Sequence, residues 1–285
     1  MSLPKVPQLY KSVVPAPSQA FDDSQIATIH VSIDQATFDK MLKNPEEANP
    51  AMVQFRFINS DLVHSVAQVE MKFAGKSSMD YKKQSFKFKF DDKKQQTFFD
   101  RPSIKLRSEA GDPTLMREKI YIDVLNSVGI YTQQGAWVVL YINNKLWGIY
   151  LMVDDIGKSF LRTTIHRSNS ATLGSLYQMN APEENHRADL RYLGPTAKSY
   201  PDEVYTNKYL GGAWDSYWYS ASNYFLYFNP SLKVWQWVPT DFDDTLGKGV
   251  LEKQTTYKNY APQLSKQDHP LVSKLILRNQ AINQR

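Results

Sequence analysis

The stretch "NYFLYFNPSLKVWQWVPTDFDD" (residues 223–244) joins two apolar strand patterns through a turn and ends in a cluster of carboxylates. "NYFLYF" and "VWQWVP" are separated by "NPSLK", whose Asn-Pro and Ser are turn formers, so this stretch predicts a β-hairpin. Antiparallel pairing about Ser231 brings Asn223 opposite the neighbourhood of residues 239–241. We therefore expect the two ends of the hairpin to meet.

The carboxylates at this end predict a metal site. We expect Asp241 to lie close to Asn223. Asp243 follows Asp241 after one intervening residue, and Asp215 lies a short loop before Asn223. Oxygen ligands from carboxylates and an amide suit Mg²⁺ or Mn²⁺. Protein kinases place their phosphoryl-transfer groups along the chain in the same order: a base Asp, an Asn ligand, a hairpin and a second metal-binding Asp. The alternative that "DFDD" is only an Asx-type turn stays open.

Composition limits the classes of protein that fit. The 285 residues are 42% hydrophobic and 22% charged, which is typical of a globular chain of one large domain or two lobes. The absence of cysteine excludes disulfides, thiolate zinc sites and Cys nucleophiles. The net charge of +5 is mild, and acidic residues interrupt the basic segment 80–94, so we expect no nucleic-acid partner.

The sequence predicts neither a membrane span nor a signal peptide, so either the protein stays where it is made or a leader has been removed. No apolar run approaches the roughly 20 residues of a membrane span, and the first residues lack the order of a signal peptide. We expect no membrane span.

Strand and helix patterns divide the chain. Residues 1–24 are rich in proline and predict an extended arm. Residues 25–153 contain mostly strand patterns, whereas residues 154–285 are richer in helix patterns and stop within a last helix, as a truncated lobe would. The sequence predicts an α+β protein with a β-rich lobe and a helix-richer lobe.

In "QSFKFKF" (84–90), Phe86, Phe88 and Phe90 alternate with polar residues. Lys83, Lys87 and Lys89 share the polar face of this strand, and solvated lysines on an exposed sheet face are the simplest interpretation of this pattern.

"DPTLMREKIYIDVLNSVG" (112–129) predicts a helix that has Asp112 as its N-cap. Its apolar face contains Met116, Ile120, Tyr121, Val124 and Val128. Arg117 falls on this face and Glu118 at its border, so Arg117 either meets a carboxylate or phosphate or extends to the surface.

Four segments resemble a known family. "GKSSMDYKKQSFKFKF" (75–90), residues 112–156, "SNYFLYFNP" (222–230) and "WQWVPTDFDDTLG" (235–247) resemble the CotH kinases, named for a bacterial spore coat protein and found also as invasins in mucoralean fungi. The resemblance implies an atypical protein-kinase-like fold with lobes 25–153 and 154–285. It implies binding of ATP with Mg²⁺ or Mn²⁺ and phosphorylation of Ser/Thr in coat or surface proteins. It also implies a location in the spore coat, at the cell surface or outside the cell.

The resemblance assigns roles to residues of the second lobe. Asp215 looks like the catalytic base. Asn223 and Asp241 look like metal ligands, and Asp243 looks like a second acid at the metals.

It also assigns nucleotide-binding roles to the first lobe. Lys83 looks like the lysine that contacts phosphate, with Lys87 as the alternate. Arg117 and Glu118 belong to the helix motif. The "LMVDD" strand looks like the adenine hinge, with Asp154, at the start of the second lobe, where an acidic residue is expected. The chain reads "AGKSS" where family members often read "RGNSS".

A binding module is the alternative function. In this reading the chain is a surface adhesin with weak or no kinase activity, and it binds a host-receptor protein through an aromatic patch such as Trp214, Tyr217, Trp218 and Tyr219. We expect a monomer in either case.

Overall fold

The structure is a computed structural model that describes residues 18–45, 48–60, 62–75, 81–91, 96–179 and 223–243. The chain forms two compact units, residues 1–171 and residues 172–285. The limits predicted from the sequence for the arm and the two lobes stay a prediction.

Seven strands of the first unit close into a barrel. They are β1 (Ala27–Ser32), β2 (Ala51–Asn59), β3 (Leu62–Ala74), β4 (Ser85–Lys89), β5 (Ser103–Arg107), β6 (Gly135–Ile142) and β7 (Lys145–Asp154). Their order around the barrel is β1-β2-β3-β4-β5-β7-β6. β1 and β6 run parallel, and the other neighbours run antiparallel. Closure pairs every strand on both sides, so this sheet has no open edge.

Alternation of apolar and polar residues produces the barrel core. In β2 every second residue is buried, and Phe86 and Phe88 of β4 are fully buried, as the sequence predicts. Phe98 lies at the centre of an aromatic cluster and contacts Phe55 and Phe57 edge to face. This packing contributes much of the stability of the barrel because aromatic side chains bury large apolar areas.

The described helices are short. They are α1 (Gln35–Lys43), α2 (Arg117–Ser127) and α3 (Lys158–Phe160), which continues into a π-helical segment (Leu161–His166). Asp34 caps α1 by accepting a hydrogen bond from Thr37 N at 2.8 Å. Among the described residues, no helix combines the length and the apolar character that crossing a membrane requires.

The prediction for α2 is wrong in two respects. The helix begins at Arg117 rather than after Asp112, and its predicted apolar face is exposed: Met116 is 53% and Val124 is 52% accessible. The opposite side is the buried one, with Ile122 against β6 and Glu118 in an ion pair with the barrel. Periodicity separated an apolar side of the helix from a polar side. The polar side faces the barrel because its charged residues form ion pairs there.

The residues before β1 pack on the barrel unit. Ser18 N donates to Gln134 Oε1 at 3.0 Å, and a 3₁₀ turn (Gln19–Phe21) follows. Phe21 is buried beneath the Arg101 guanidinium. The described end of the predicted arm is therefore part of the barrel core.

The second unit contains a three-stranded sheet in the order β10-β9-β8. Its strands are β8 (Leu176–Met179), β9 (Tyr224–Asn229) and β10 (Val234–Pro239). β9 and β10 form the predicted hairpin, with Tyr224 opposite Pro239 and Asn229 opposite Val234. The hairpin prediction is confirmed.

The predicted fold class is wrong. The described residues form a β-rich structure with a closed seven-stranded barrel and short helices, not a two-lobed kinase-like α+β fold with a helix-richer C-lobe. Local alternation predicted β4 and the β9–β10 hairpin, but it did not predict β5 or β8. The parallel pairing of Thr28 with Val139, which closes the sheet, joins residues far apart in the chain, so no local pattern reports it.

Candidate functional site

The end of the β9–β10 hairpin brings two predicted metal ligands together. Thr240 N donates to Asn223 O at 3.2 Å, so Asn223 lies opposite Thr240 and diagonally across from Asp241. Asn223 Oδ1 and Asp241 Oδ1 are both buried. The predicted meeting of the two hairpin ends is confirmed.

Both residues have an unusual backbone conformation. Asn223 has a φ of 67° and Asp241 a φ of 61°, in the left-handed region that non-glycine residues seldom adopt. Two such residues on facing chain segments aim their side chains in directions that a regular ladder would not allow. Conformations of this kind persist only where the surrounding structure holds them in place, and they are frequent at functional sites.

The oxygen atoms at this end suit a hard cation. The described residues contain no group of three or more His, Cys, Asp or Glu side chains placed to bind a metal ion. Mg²⁺ needs fewer protein ligands than that, because it usually keeps water and binds one or two carboxylates together with substrate phosphates. Asn223, Asp241 and Asp243 therefore fit Mg²⁺ or Mn²⁺ better than they fit zinc. Asp215, the predicted base, lies outside the described residues.

Lys83 lies before β4 and is held by backbone carbonyls. Its Nζ donates to Ser108 O at 2.7 Å and to Ile149 O at 2.5 Å, and it lies over the Tyr150 ring at 4.5 Å from the centroid. Burial lowers the pKa of Lys83, and the Glu109 carboxylate offsets part of that change. The contacts give this predicted phosphate-binding lysine a structural role in the barrel.

Lys87, the alternate, belongs to an ionic cluster on the outside of the barrel. Lys87 and Lys105 are direct neighbours on β4 and β5, and both Nζ atoms contact the carboxylate of Asp155. Ser103 Oγ donates to the same carboxylate at 2.7 Å. Burial raises the pKa of Asp155, but the two lysines outweigh burial and hold this pKa well below the ordinary carboxyl range.

Glu118 belongs to a second ionic cluster on the barrel. It is fully buried, its Oε2 lies 2.5 Å from Arg107 Nε, and Gln133 Nε2 donates to its Oε1 at 2.9 Å. The Oε1 of Glu109 lies 3.5 Å from the same Arg107 Nε. This cluster fixes α2 on the barrel.

Arg117 meets a carboxylate, which is one of the two outcomes left open by the sequence. Its Nη1 lies 2.6 Å from Asp112 Oδ1. Asp112 also accepts from the backbone N–H groups of Met116 and Arg117, both at 2.9 Å. Burial raises the pKa of Asp112, but the hydrogen bonds from Arg117 N and from Thr114, together with the Arg117 charge, lower it overall.

Asp154 forms a buried ion pair. Its Oδ1 lies 2.6 Å from Arg101 Nε, and its Oδ2 accepts from Gln134 N at 3.1 Å. Both side chains of the ion pair are almost fully buried. These contacts stabilise the end of β7, and the predicted role of Asp154 at an adenine hinge stays a prediction.

Sequence reasoning missed Lys105, Arg107 and Asp155. A signal was present, because "SIKLR" (103–107) alternates buried Ile104 and Leu106 with the two basic residues. The partner of Lys105, Asp155, follows from the pairing of β5 with β7, and the partner of Arg107, Glu118, follows from the packing of α2 on the barrel; the sequence reveals neither.

The second unit also has aromatic side chains at its surface. Trp235 is 56% and Tyr177 is 40% accessible, and their rings are 5.9 Å apart. Phe228 contacts Trp235 with ring centroids 5.4 Å apart. The aromatic residues predicted for a binding patch, Trp214, Tyr217, Trp218 and Tyr219, lie outside the described residues.

Comparison with known proteins identifies relatives of the chain. A family model described as "CotH kinase protein" matches residues 71–212. The chain is 27% identical over 280 residues to Invasin CotH2 of Rhizopus delemar, covering 81% of this chain and 46% of that protein. Invasin CotH3 of the same organism is 27% identical over 274 residues, which are 80% of this chain and 45% of the relative.

A bacterial relative is similar over a shorter region. Inner spore coat protein H of Bacillus subtilis is 28% identical over 93 residues, covering 33% of this chain and 25% of that protein. The chain spans less than half the length of the two invasins. From the family-model match and these relatives, the chain belongs to the CotH family.

Proposed function

We propose that the protein is an ATP- and divalent-metal-dependent protein kinase that phosphorylates Ser or Thr residues of spore-coat or cell-surface proteins. The description of the matching family model supports a kinase, and the names of the relatives support a coat or surface location. The observation that carries the proposal is the juxtaposition of Asn223 and Asp241 at the hairpin end.

This juxtaposition supports phosphoryl transfer for a physical reason. The protein contributes to this reaction mainly by positioning the reactants and by neutralising charge. A bound Mg²⁺ or Mn²⁺ would supply the positive charge that neutralises the phosphates. Asn223 and Asp241 would hold the ion, with Asp243 as an additional acid. The left-handed backbone of Asn223 and Asp241 sets the direction in which each side chain leaves the chain, and their Oδ1 atoms are buried, both of which favour a preformed site.

Asp215 completes the proposal as the group that orients the acceptor hydroxyl. A carboxylate in this role accepts the hydroxyl proton and aims the oxygen at the phosphorus.

The experiment is thermal unfolding with and without ATP and Mg²⁺ or Mn²⁺, together with transfer of labelled phosphate from ATP to a Ser/Thr-rich acceptor protein. At a ligand concentration of 100 times Kd, binding stabilises the wild-type protein by about 2.7 kcal/mol. Asp241→Ala should lose the metal-dependent stabilisation and the transfer. Asp39→Ala, a change to an exposed aspartate of α1, is the matched control and should behave as wild type. A transfer rate in Asp241→Ala equal to that of wild type would refute the proposal.

A surface-binding function is the second candidate, and the exposed pair Tyr177 and Trp235 favours it. Two relatives are named as invasins, and exposed neighbouring aromatic side chains are typical of protein-binding surfaces. Trp235→Ser should lower the retention of the labelled chain on cultured host cells. Leu232→Ser, at a turn residue that is 63% accessible, is the control for loss of exposed apolar area alone. Equal retention of the two variants and wild type would exclude this surface.

A further inference from the structure

One side of α2 exposes a row of large apolar side chains. The members of this row follow one another at intervals of four residues and are 40–53% accessible: Met116, Ile120, Val124 and Val128. In the described part of the chain, five of the fifteen exposed large apolar side chains lie between residues 116 and 130. Single exposed apolar residues are normal at a protein surface, whereas a contiguous group of them marks an interaction surface.

The C-terminal cap of α2 adds the fifth side chain. Gly129 N donates to Asn126 O at 3.1 Å and Ile130 N donates to Leu125 O at 2.9 Å, which are the two bonds of a Schellman motif. Gly129 provides the left-handed conformation that this motif needs, with a φ of 82°. The motif places Ile130, which is 42% accessible, beside the last turn of the helix. Ile130 and the row of four are here named the apolar ridge.

The opposite side of α2 holds the apolar ridge outward. Glu118 is fully buried, and its Oε2 lies 2.5 Å from Arg107 Nε of β5. Ile122 packs on β6, and Asn126 Nδ2 donates to Gln133 O at 3.3 Å. The helix cannot turn its apolar side inward without leaving the buried carboxylate uncompensated. A surface held in this way binds a partner with little loss of conformational entropy.

Charge indicates what kind of partner fits. No member of the apolar ridge is charged. The charged side chains next to it have partners in their own chain, since Arg117 pairs with Asp112, and Asp123 with Lys119. An acidic or basic ligand would therefore find little to pair with here. The fitting partner is a rigid apolar surface, and the chain itself carries one.

We infer that the apolar ridge is the interface between two copies of this chain. Side chains four residues apart form ridges along a helix, and such ridges on two helices fit into each other's grooves at a crossing angle of about −50°. A second copy always presents the same ridge, so contact about a twofold axis is self-complementary. The inference departs from the monomer predicted from the sequence, and it does not rest on the proposed function.

The size of the apolar ridge predicts a weak dimer. Five side chains that are about half exposed offer on the order of 400 Å² of apolar surface per copy. Two copies bury about twice that area together with a polar rim, which lies at the low end of specific interfaces. We therefore expect a dimer that forms reversibly at micromolar or higher concentration, not a permanent one.

The experiment is sedimentation velocity of the full chain from about 5 to about 500 µM, a range that suits a weak interface. Wild type should change from monomer to dimer as the concentration rises. Val124→Asp should weaken dimerisation at least about a hundredfold, because each copy then brings an unpaired carboxylate into the interface. Leu146→Asp, at an exposed apolar residue of β7 that is 64% accessible, is the matched control and should dimerise within about twofold of wild type.

A second variant guards against loss of the helix. Met116 is the N-cap of α2 and makes no side-chain capping bond. Because aspartate is a favoured N-cap residue, Met116→Asp should leave α2 intact and still weaken dimerisation about tenfold or more. Circular dichroism checks that each variant is folded.

Salt distinguishes the apolar ridge from ionic association. Contacts between exposed charges are screened at about 1 M NaCl, whereas apolar contacts are kept. The Kd of the wild-type dimer should therefore stay the same or fall when NaCl is raised to that concentration.

The absence of cysteine allows a direct test of position. Two cysteines form a disulfide only where their Cα atoms approach within about 7 Å. Under mild oxidation, at least one of Ile120→Cys and Val124→Cys, in the middle of the ridge, should form an intermolecular disulfide faster than Leu146→Cys does.

Four results would overturn the inference. They are a wild type that stays monomeric up to about 500 µM, folded Val124→Asp and Met116→Asp that dimerise as wild type does, a dimer that dissociates at about 1 M NaCl, and ridge cysteines that cross-link no faster than Leu146→Cys.

Discussion

The buried ion pair between Arg101 and Asp154 makes a quantitative prediction for Asp154→Ala. The substitution removes a carboxylate whose side chain is 1% accessible and leaves the guanidinium of Arg101, 4% accessible, without its counter-charge. The bond from Gln134 N to Asp154 Oδ2 is lost as well. The barrel must then keep a cation in a place that water hardly reaches.

The expected loss follows from these contacts. Removal of one partner of a buried ion pair costs about 3–5 kcal/mol. The lost backbone hydrogen bond adds about 1 kcal/mol. Because folded domains are stable by only about 5–15 kcal/mol, the barrel should lose a large part of its free energy of unfolding.

Urea unfolding followed by circular dichroism measures this loss as a change in midpoint at constant slope. Asp123→Ala is the matched control. Asp123 also lies 2.6 Å from a cation, Lys119, but its side chain is 54% accessible and Lys119 keeps a second partner, Asp23. The control should lose less than about 1 kcal/mol.

The double variant Arg101→Met with Asp154→Leu tests the cause. Apolar residues of similar volume often replace a buried ion pair without loss, so the double variant should recover most of the stability. A loss below about 1 kcal/mol in Asp154→Ala would refute the reasoning. Normal stability combined with weaker ATP binding would instead favour the hinge role that the family resemblance implies.

Two further predictions concern the barrel. Phe98→Ala should cost about 3–5 kcal/mol in urea unfolding, because its fully buried ring is the centre of the aromatic cluster, and a loss below about 1 kcal/mol would contradict that packing. Burial raises the pKa of Asp155, but Lys105 and Lys87 lower it by more, so the pKa is lower in the folded than in the unfolded protein. The ionised carboxylate therefore stabilises the fold at pH values above the ordinary carboxyl pKa, and this stabilisation is lost as the pH falls below it. Asp155→Asn should therefore be less stable than wild type at pH 7. The difference between the two urea midpoints should shrink as the pH falls towards about 3, below the ordinary carboxyl pKa. A difference that stays constant with pH would contradict the ion pairing.

The hairpin shows how much of a site local sequence can predict. "NYFLYF" and "VWQWVP" alternate, and the turn residues between them fix the register, so the approach of Asn223 to Asp241 followed from counting. Their left-handed backbone conformations were not predictable in this way. Asn and Asp adopt them more readily than other residues, but the surrounding structure selects them.

The lysines show the opposite case. Alternation in "QSFKFKF" correctly placed Phe86 and Phe88 in the core. It could not distinguish the environments of Lys83 and Lys87, one held by carbonyls and the other by a carboxylate. These partners come from other strands and from the loop after β7.

The sequence by itself determined local features: the alternation that buries one face of β4, the β9–β10 hairpin and its acidic end. These features depend on side-chain period and turn chemistry within a few residues. The tertiary structure alone decided the closure of the barrel through β1 and β6, the side of α2 that is buried, and the partners of Arg101 and Lys105. Such choices depend on the free energy of contacts between distant segments, and a pattern along the chain does not contain that information.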